Sequence, residues 1–344
     1  MSAATGTVAD LPLDHLLHLG DHRGVFEHAR GAVPRREHGY CLDDVARALG
    51  VLIRREDAAE RPVSLTETSL RFVEAAYGES GLAHNRMDVH GEWTDEPSMG
   101  DWWGRGVGAL GTVAAHAPTS FMRARGMRAF LVATRQRPVE VRTAVFAIPG
   151  IAEVVRLRPD SAVLRGLLWS AVDVLPTGGD ADWDWLEPRL RYANAALPFA
   201  LLAAGDVLED PVLVERGLRA LDVLERIESR DGHLSVTGPA GRSPDEMDAQ
   251  FDQQPIEVAA FAEAAERAFD LTGDERWRAT VRRALAWFLG DNDSGEVMID
   301  ETSGAGYDGL EPAGRNSNRG AESTLAALGT FQSARRLGID GGRG

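Results

Sequence analysis

The chain has 344 residues, 44% of them hydrophobic, and a formal net charge of −16. The apolar content is enough for a large core, and the acidic balance argues against a nucleic-acid partner, whose phosphates need clustered cations. No lysine occurs, which excludes Schiff-base chemistry, a pyridoxal phosphate anchor and a P-loop; the single cysteine, Cys41, excludes an intrachain disulfide and a thiolate metal cluster.

Met1 to Asp10 carries neither a basic segment nor an apolar core, so no signal peptide is expected. No apolar run approaches about 18 residues, which predicts no membrane span and a cytoplasmic protein. Helical periodicity then dominates, over roughly 13–19, 43–56, 65–77, 103–116, 119–135, 138–156, 161–174, 188–206, 211–228, 255–272, 275–290 and 319–336. Alanine, leucine and arginine fill these segments, all strong helix formers. Strand patterning is confined to short pieces such as His233–Val236 and Val297–Ile299. Short connections, such as Thr272-Gly273-Asp274, alternate with long ones at 78–102, 175–187, 229–254 and 291–318. The long ones hold Trp93, Trp102, Trp183 and Trp185, which predicts ordered, functional loops. Twelve helices in this rhythm make six hairpins. A hairpin cannot bury both faces alone, and without a strict sequence repeat the expected solution is closure. The fold class is therefore all-α, an (α/α)6 toroid, formed by one domain over 1–344 with a short flexible N-terminus (about 1–10) and C-terminal tail (about 338–344).

Five segments carry candidate chemistry. In His38-Gly-Tyr40-Cys-Leu-Asp43-Asp44, two carboxylates open a helix; an Asp there suits the cap or the first turn, but that needs only one. The second segment holds His84, Asn85, Trp93, Asp101, Trp102, Trp103 and Arg105. Ring faces of this kind stack on sugars while polar groups bind hydroxyls, and of the Trp102–Trp103 pair one belongs to the core and one to the cleft. Tyr192 and Asn194 precede the eighth helix; turn and capping roles explain them nearly as well. Asp252-Gln253-Gln254-Pro-Ile-Glu257 is the densest polar cluster beside a helix, with Pro255 at its first position and Glu257 in its first turn. The last segment, Asp308 to Glu322, offers Asn318 as a helix cap and Arg319 and Glu322 three residues apart, spaced to pair on one face. There is no G-x-S-x-G, no H-E-x-x-H, no dinucleotide-binding glycine pattern and no convincing metal-ligand spacing of histidines. Neither a cofactor nor a metal is expected.

Together these stretches resemble a family of bacterial (α/α)6 glycosidase-like domains, some of them fused or adjacent to glycosyltransferases. The resemblance rests on His38-Gly-Tyr-Cys-Leu-Asp-Asp44, Phe251-Asp-Gln-Gln-Pro-Ile-Glu257, Tyr307-Asp-Gly-Leu310 and Asn318-Arg-Gly-Ala-Glu-Ser-Thr324, with His84, Asn85, Asp101, Arg105 and Tyr192-Ala-Asn194 between them. It implies a carbohydrate substrate and a functional link to a glycosyltransferase. At Ser98–Arg105 the family's polar segment is replaced by Met99, Trp102 and Trp103, which implies a different substrate preference.

The expected activity is glycoside hydrolysis, in which one carboxyl group protonates the leaving oxygen and another activates water, about 6.5–9.5 Å apart in an inverting enzyme. Asp43, Asp44, Asp101, Asp252 and Glu257 are the catalytic candidates, with Asp44 and Asp252 the preferred pair. Substrate contacts are assigned to His38, Tyr40, His84, Asn85, Trp102, Arg105, Tyr192, Asn194, Gln253, Gln254, Asp308, Arg319 and Glu322. A sugar epimerase or isomerase on the same fold, and a non-catalytic sugar-binding protein, are the competing readings.

Overall fold

The computed structural model describes residues 8–55, 62–178 and 183–340. The expected tails and the loop at 175–187 fall partly outside this range. Twelve α-helices are present among the described residues: α1 (Asp14–Leu19), α2 (Leu42–Arg54), α3 (Val63–Ala76), α4 (Asp101–His116), α5 (Ser120–Ala133), α6 (Val141–Leu157), α7 (Ala162–Val172), α8 (Ala196–Leu208), α9 (Pro211–Ile227), α10 (Pro255–Thr272), α11 (Glu275–Phe288) and α12 (Ala321–Arg336). The strands are two-residue pairs in the loops, including 229–230 with 233–234 and 299–300 with 305–306.

Packing closes these helices into a ring. The even-numbered helices touch in the order α2, α4, α6, α8, α10, α12, and α12 packs back on α2. Each carries an odd-numbered helix outside it, and α1 completes the outer layer against α12. The architecture is thus an (α/α)6 toroid with an inner and an outer layer. Connections from inner to outer helices are tight: Glu209 turns in the left-handed region after α8 and Asp210 caps α9, while Gly273 does the same after α10 and Asp274 caps α11. Outer-to-inner connections are mostly long. All six inner helices therefore start at one face of the ring, and the long loops gather there.

Two local expectations are corrected. The eighth helix starts at Ala196 rather than near 188, because a buried carboxylate claims the amides of Ala193 and Asn194 and holds Ala193 at φ 49°. Asn318 does not cap α12, whose preceding residue is Gly320; its side chain accepts instead from the Gly31 amide.

The closest inner contact joins α4 to α6. Gly104, Gly108 and Gly111 on α4 meet the backbone of Thr143, Phe146 and Gly150 on α6, and a Cβ on Gly111 would overlap the Gly150 peptide. Gly111→Ala is expected to cost about 1–3 kcal/mol by overpacking. Gly166 in α7, exposed with open space beside it, is the contrast: Gly166→Ala should gain about 0.5–1 kcal/mol. Thermal unfolding of the two variants should therefore shift in opposite directions.

Candidate functional site at the loop face

The centre of the loop-bearing face is built around Arg47, one and a half turns into α2. Its side chain is 9% exposed and meets four partners. Nη1 is 2.6 Å from Asp44, and Nη2 is 3.0 Å from Asp43 and 2.7 Å from Glu322 on α12. Nη2 also donates to the Tyr192 hydroxyl at 2.9 Å. Arg105 on α4 joins the cluster, donating to the same hydroxyl at 2.5 Å and lying 2.7 Å from Asp43, with its guanidinium over the Phe146 ring. Tyr192 enters from the loop before α8, three places round the ring from α2, so it spans the axis. The site thus joins four inner elements through two arginines that cannot lose their charge.

Three carboxylates around Arg47 exceed its single charge, and burial adds to the cost of ionising them. The Asp44 carboxyl is pushed up to about 7, first by burial and then against the pull of Arg47, with Asp43 and Glu322 adding to the rise. Asp44 is enclosed, however: one oxygen takes Arg47 and the other accepts from the Cys41 thiol. Cys41 itself caps α2, its sulfur accepting from the Asp44 amide, so Asp43 and Asp44 both fall within the first turn. Asp101, first residue of α4, is half-buried and is also raised by burial, with Arg105 opposing. Asp308 is raised by burial while its carboxylate accepts from the Gly320 amide.

The other candidates divide by place. Asp252 is exposed, with φ 56°, a left-handed conformation rare outside glycine. Its neighbour Gln253 is fully buried. Gln253 pairs through its backbone with Leu310, donates to Asp293 and the Gln250 carbonyl, and accepts from Trp287, so it secures the loop and has no free group to offer a ligand. Gln254 is half-buried just ahead of α10. Glu257 is likewise committed: its oxygens accept from the amides of Ala193 and Asn194 and from the Asn194 side chain. Those bonds favour the charged form, but burial and neighbouring Glu228 outweigh them and push the carboxyl up to about 8. Glu257 and Asn194 therefore fix the turn that delivers Tyr192.

Arg319 and Glu322 do not pair; Arg319 reaches Asp300 and Glu322 reaches Arg47, because α12 starts only at Ala321 and the two residues sit on different structures. Tyr40 is buried and donates to Asp21, which leaves its ring structural. His38 sits exposed beside His28 on the rim. His84 stacks on Trp93, and Asn85 is held through its amide by Asp95. Trp102 is half-buried and packs against the core, and Trp103, Trp183 and Trp185 are core residues. Sequence reasoning missed Arg47, Asp95 and Asp21 as site-builders. Arg47 had a signal, since it follows Asp43 and Asp44 by four and three residues on one helix face. Asp95 had none, because its partners Asn85 and Arg86 meet it only through the loop's return.

No family model matches the sequence, and no curated protein matches it. Among solved structures, the fold is that of the (α/α)6 sugar-processing enzymes. A sugar epimerase from a ruminal bacterium superposes at TM-score 0.75 with 13% identity, covering 97% of both chains. The cellobiose 2-epimerase of Bacillus thermoamylovorans gives 0.72 with 13% identity over 95% of this chain and 96% of that one. The GH76 α-mannanase of Bacteroides thetaiotaomicron gives 0.67 with 10% identity over 94% and 93%. At these identities the likeness establishes the fold. No helix among the described residues is long and apolar enough to cross a membrane.

Two outcomes follow from the charge arrangement. Arg47→Ala strands Asp44, 4% exposed, without its cation. It should cost about 3–5 kcal/mol at pH 8 and less at pH 6, where Asp44 takes up a proton. Denaturant melts at both pH values read this. Asp44 and Glu257 also carry raised values in the folded state, against 3.8 and 4.5 ordinarily. The contribution of these two groups to stability is then fullest below about pH 4 and declines as pH rises towards about 8. The melting temperature of Glu257→Gln should depend less on pH over that range than that of the wild type.

Proposed function

We propose that the protein is a carbohydrate-active enzyme that hydrolyses a glycosidic bond at the loop face of the toroid. The observation that carries this reading is the half-open ring of carboxyl groups around Arg47 and Arg105, with acids raised by burial beside acids open to solvent. A glycosidase needs that contrast: one carboxyl group that donates a proton to the leaving oxygen and another that accepts one from water. Asp101 fills the first role better than Asp44. Both are raised by burial, but Asp101 is partly exposed and Asp44 has both oxygens engaged. Asp252 is the base that activates water, since it is exposed and lies on the loop before α10. α4 and α10 stand three places apart in a ring of six, and the reading requires the two acids to approach a sugar from opposite sides. Tyr192 supports this pose. Its oxygen already accepts from two arginines, so its own hydrogen is left to donate to a substrate oxygen.

Asp101→Asn and Asp252→Asn should each lower kcat on a cleaved glycoside by at least about 100-fold, the lower range for a positioned acid or base, with unchanged circular dichroism. Full activity in either variant removes that residue from the mechanism. A screen of manno-, gluco- and arabino-oligosaccharides identifies the substrate, and the anomer released shows whether the reaction inverts.

Epimerisation is the second reading, favoured by the two epimerase structures of the same fold. It requires a proton to leave and return at a carbon beside a carbonyl. Incorporation of solvent deuterium into the sugar carbon skeleton, without cleavage, would establish it and displace hydrolysis.

A further inference from the structure

The toroid is hollow below the Arg47–Tyr192–Arg105 bridge. Two cavities lie along the axis: a neck of about 150 Å³ and a vestibule of about 450 Å³. Val51, Thr112, Pro149, Phe199 and Gly329 line both, so the two are continuous. The neck is walled by apolar groups of the inner helices, among them Val145, Phe146, Ile256 and Leu325, and is roofed by Arg47 and Arg105. The vestibule is bounded by the later turns of the same helices, with His116, Asp270 and Arg336 around it, and so lies at the face opposite the loops.

The glycines show that this space does not result from poor fit alone. Gly50 in α2 and Gly329 in α12 both line the neck, and a Cβ at either would meet nothing within 4 Å. Glycine in the middle of a helix costs stability relative to alanine. Elsewhere in the inner ring that cost has a packing cause, as at Gly111 against Gly150. At Gly50 and Gly329 no neighbour requires it; what the missing side chains preserve is the opening.

We propose that this axial cavity is a second binding site, on the far side of the arginine bridge from the loop-face site and entered from the opposite face, for a single-chain amphiphile with an uncharged polar head. The apolar walls of the neck take the chain, since ligand cavities are lined mostly by apolar groups with a few polar ones among them. The head is uncharged because the charges at the entrance are already matched. Arg54 pairs with Glu263 at 2.9 Å where neck meets vestibule, Arg336 pairs with Glu266 and Asp270, and Arg267 pairs with Asp206. A hydroxyl can donate to Glu263 and accept from Arg54 without breaking that pair, whereas a charged head would meet one like charge for each opposite one. The proposal rests on the cavity alone and holds whichever reaction the loop face performs.

The test is calorimetry on the full chain with n-octyl β-D-glucoside below its micelle concentration, beside methyl β-D-glucoside, octanoate and octyltrimethylammonium. The octyl glucoside should bind with one site, and methyl glucoside should neither bind there nor compete. Gly329→Leu and Gly50→Leu fill the neck and should each weaken binding at least tenfold while keeping or raising the melting temperature. Two such variants guard against one failing to fold. Wild-type affinity in a folded filled-neck variant would overturn the proposal. So would displacement by methyl glucoside, which would place the ligand at the loop face, or tighter binding of either charged octyl compound, which would refute the uncharged head.

Discussion

A guanidinium withdrawn from water needs acceptors around it, and the two terminal nitrogens of Arg47 find them in groups from three separate parts of the chain. Asp43 and Asp44 come from its own helix, Glu322 from α12 at the far end of the sequence, and the Tyr192 hydroxyl from the loop before α8. Arg105 extends the same network to α4 through Asp43 and Tyr192. Because arginine stays protonated, the network cannot relax by losing that charge. The carboxyl groups adjust instead: burial, with the neighbouring charges of Asp43 and Glu322 adding to it, holds Asp44 far above its ordinary value. The electrostatic demand that ties the ring together also supplies proton-bearing acids at its centre.

The orientation of the helices reinforces this. All six inner helices begin at the loop face, so their unpaired amides and positive dipole ends converge there. Asp43, Asp44, Asp101, Glu257 and Glu322 each occupy the first turn of an inner helix. A capping or dipole role and a role in the site are therefore not alternatives for most of these residues. What separates them is the number of bonds already made. Glu257 accepts three hydrogen bonds from the turn at 193–194 and is spent on shaping the site, while Asp101 and Glu322 retain access.

Glycine serves opposite ends within the same inner layer. On α4 and α6 it allows backbones to touch, and on α2 and α12 it leaves space along the axis. The first use makes one side of the ring close-packed. The second leaves the centre open beneath the arginine bridge, giving the molecule two faces of different character: a polar one formed by loops and an apolar recess reached from the other side.

The sequence by itself determined the twelve helices, the alternation of short and long connections and hence the toroid, because periodicity and turn chemistry are local and act within a few residues. It also marked the stretches that meet at the loop face, since polar clusters at helix starts stand out against alanine-rich helices. It did not determine which members of each stretch remain available. Asn318, Gln253 and Glu257 looked like Asp252 or Glu322, yet each is consumed by partners 34 to 287 residues away along the chain. Arg47 became the hub only when α12 closed onto α2 and the Tyr192 loop crossed the axis. Those distinctions belong to the tertiary structure because a hydrogen bond is settled by proximity in space, and ring closure brings together residues that no local pattern relates.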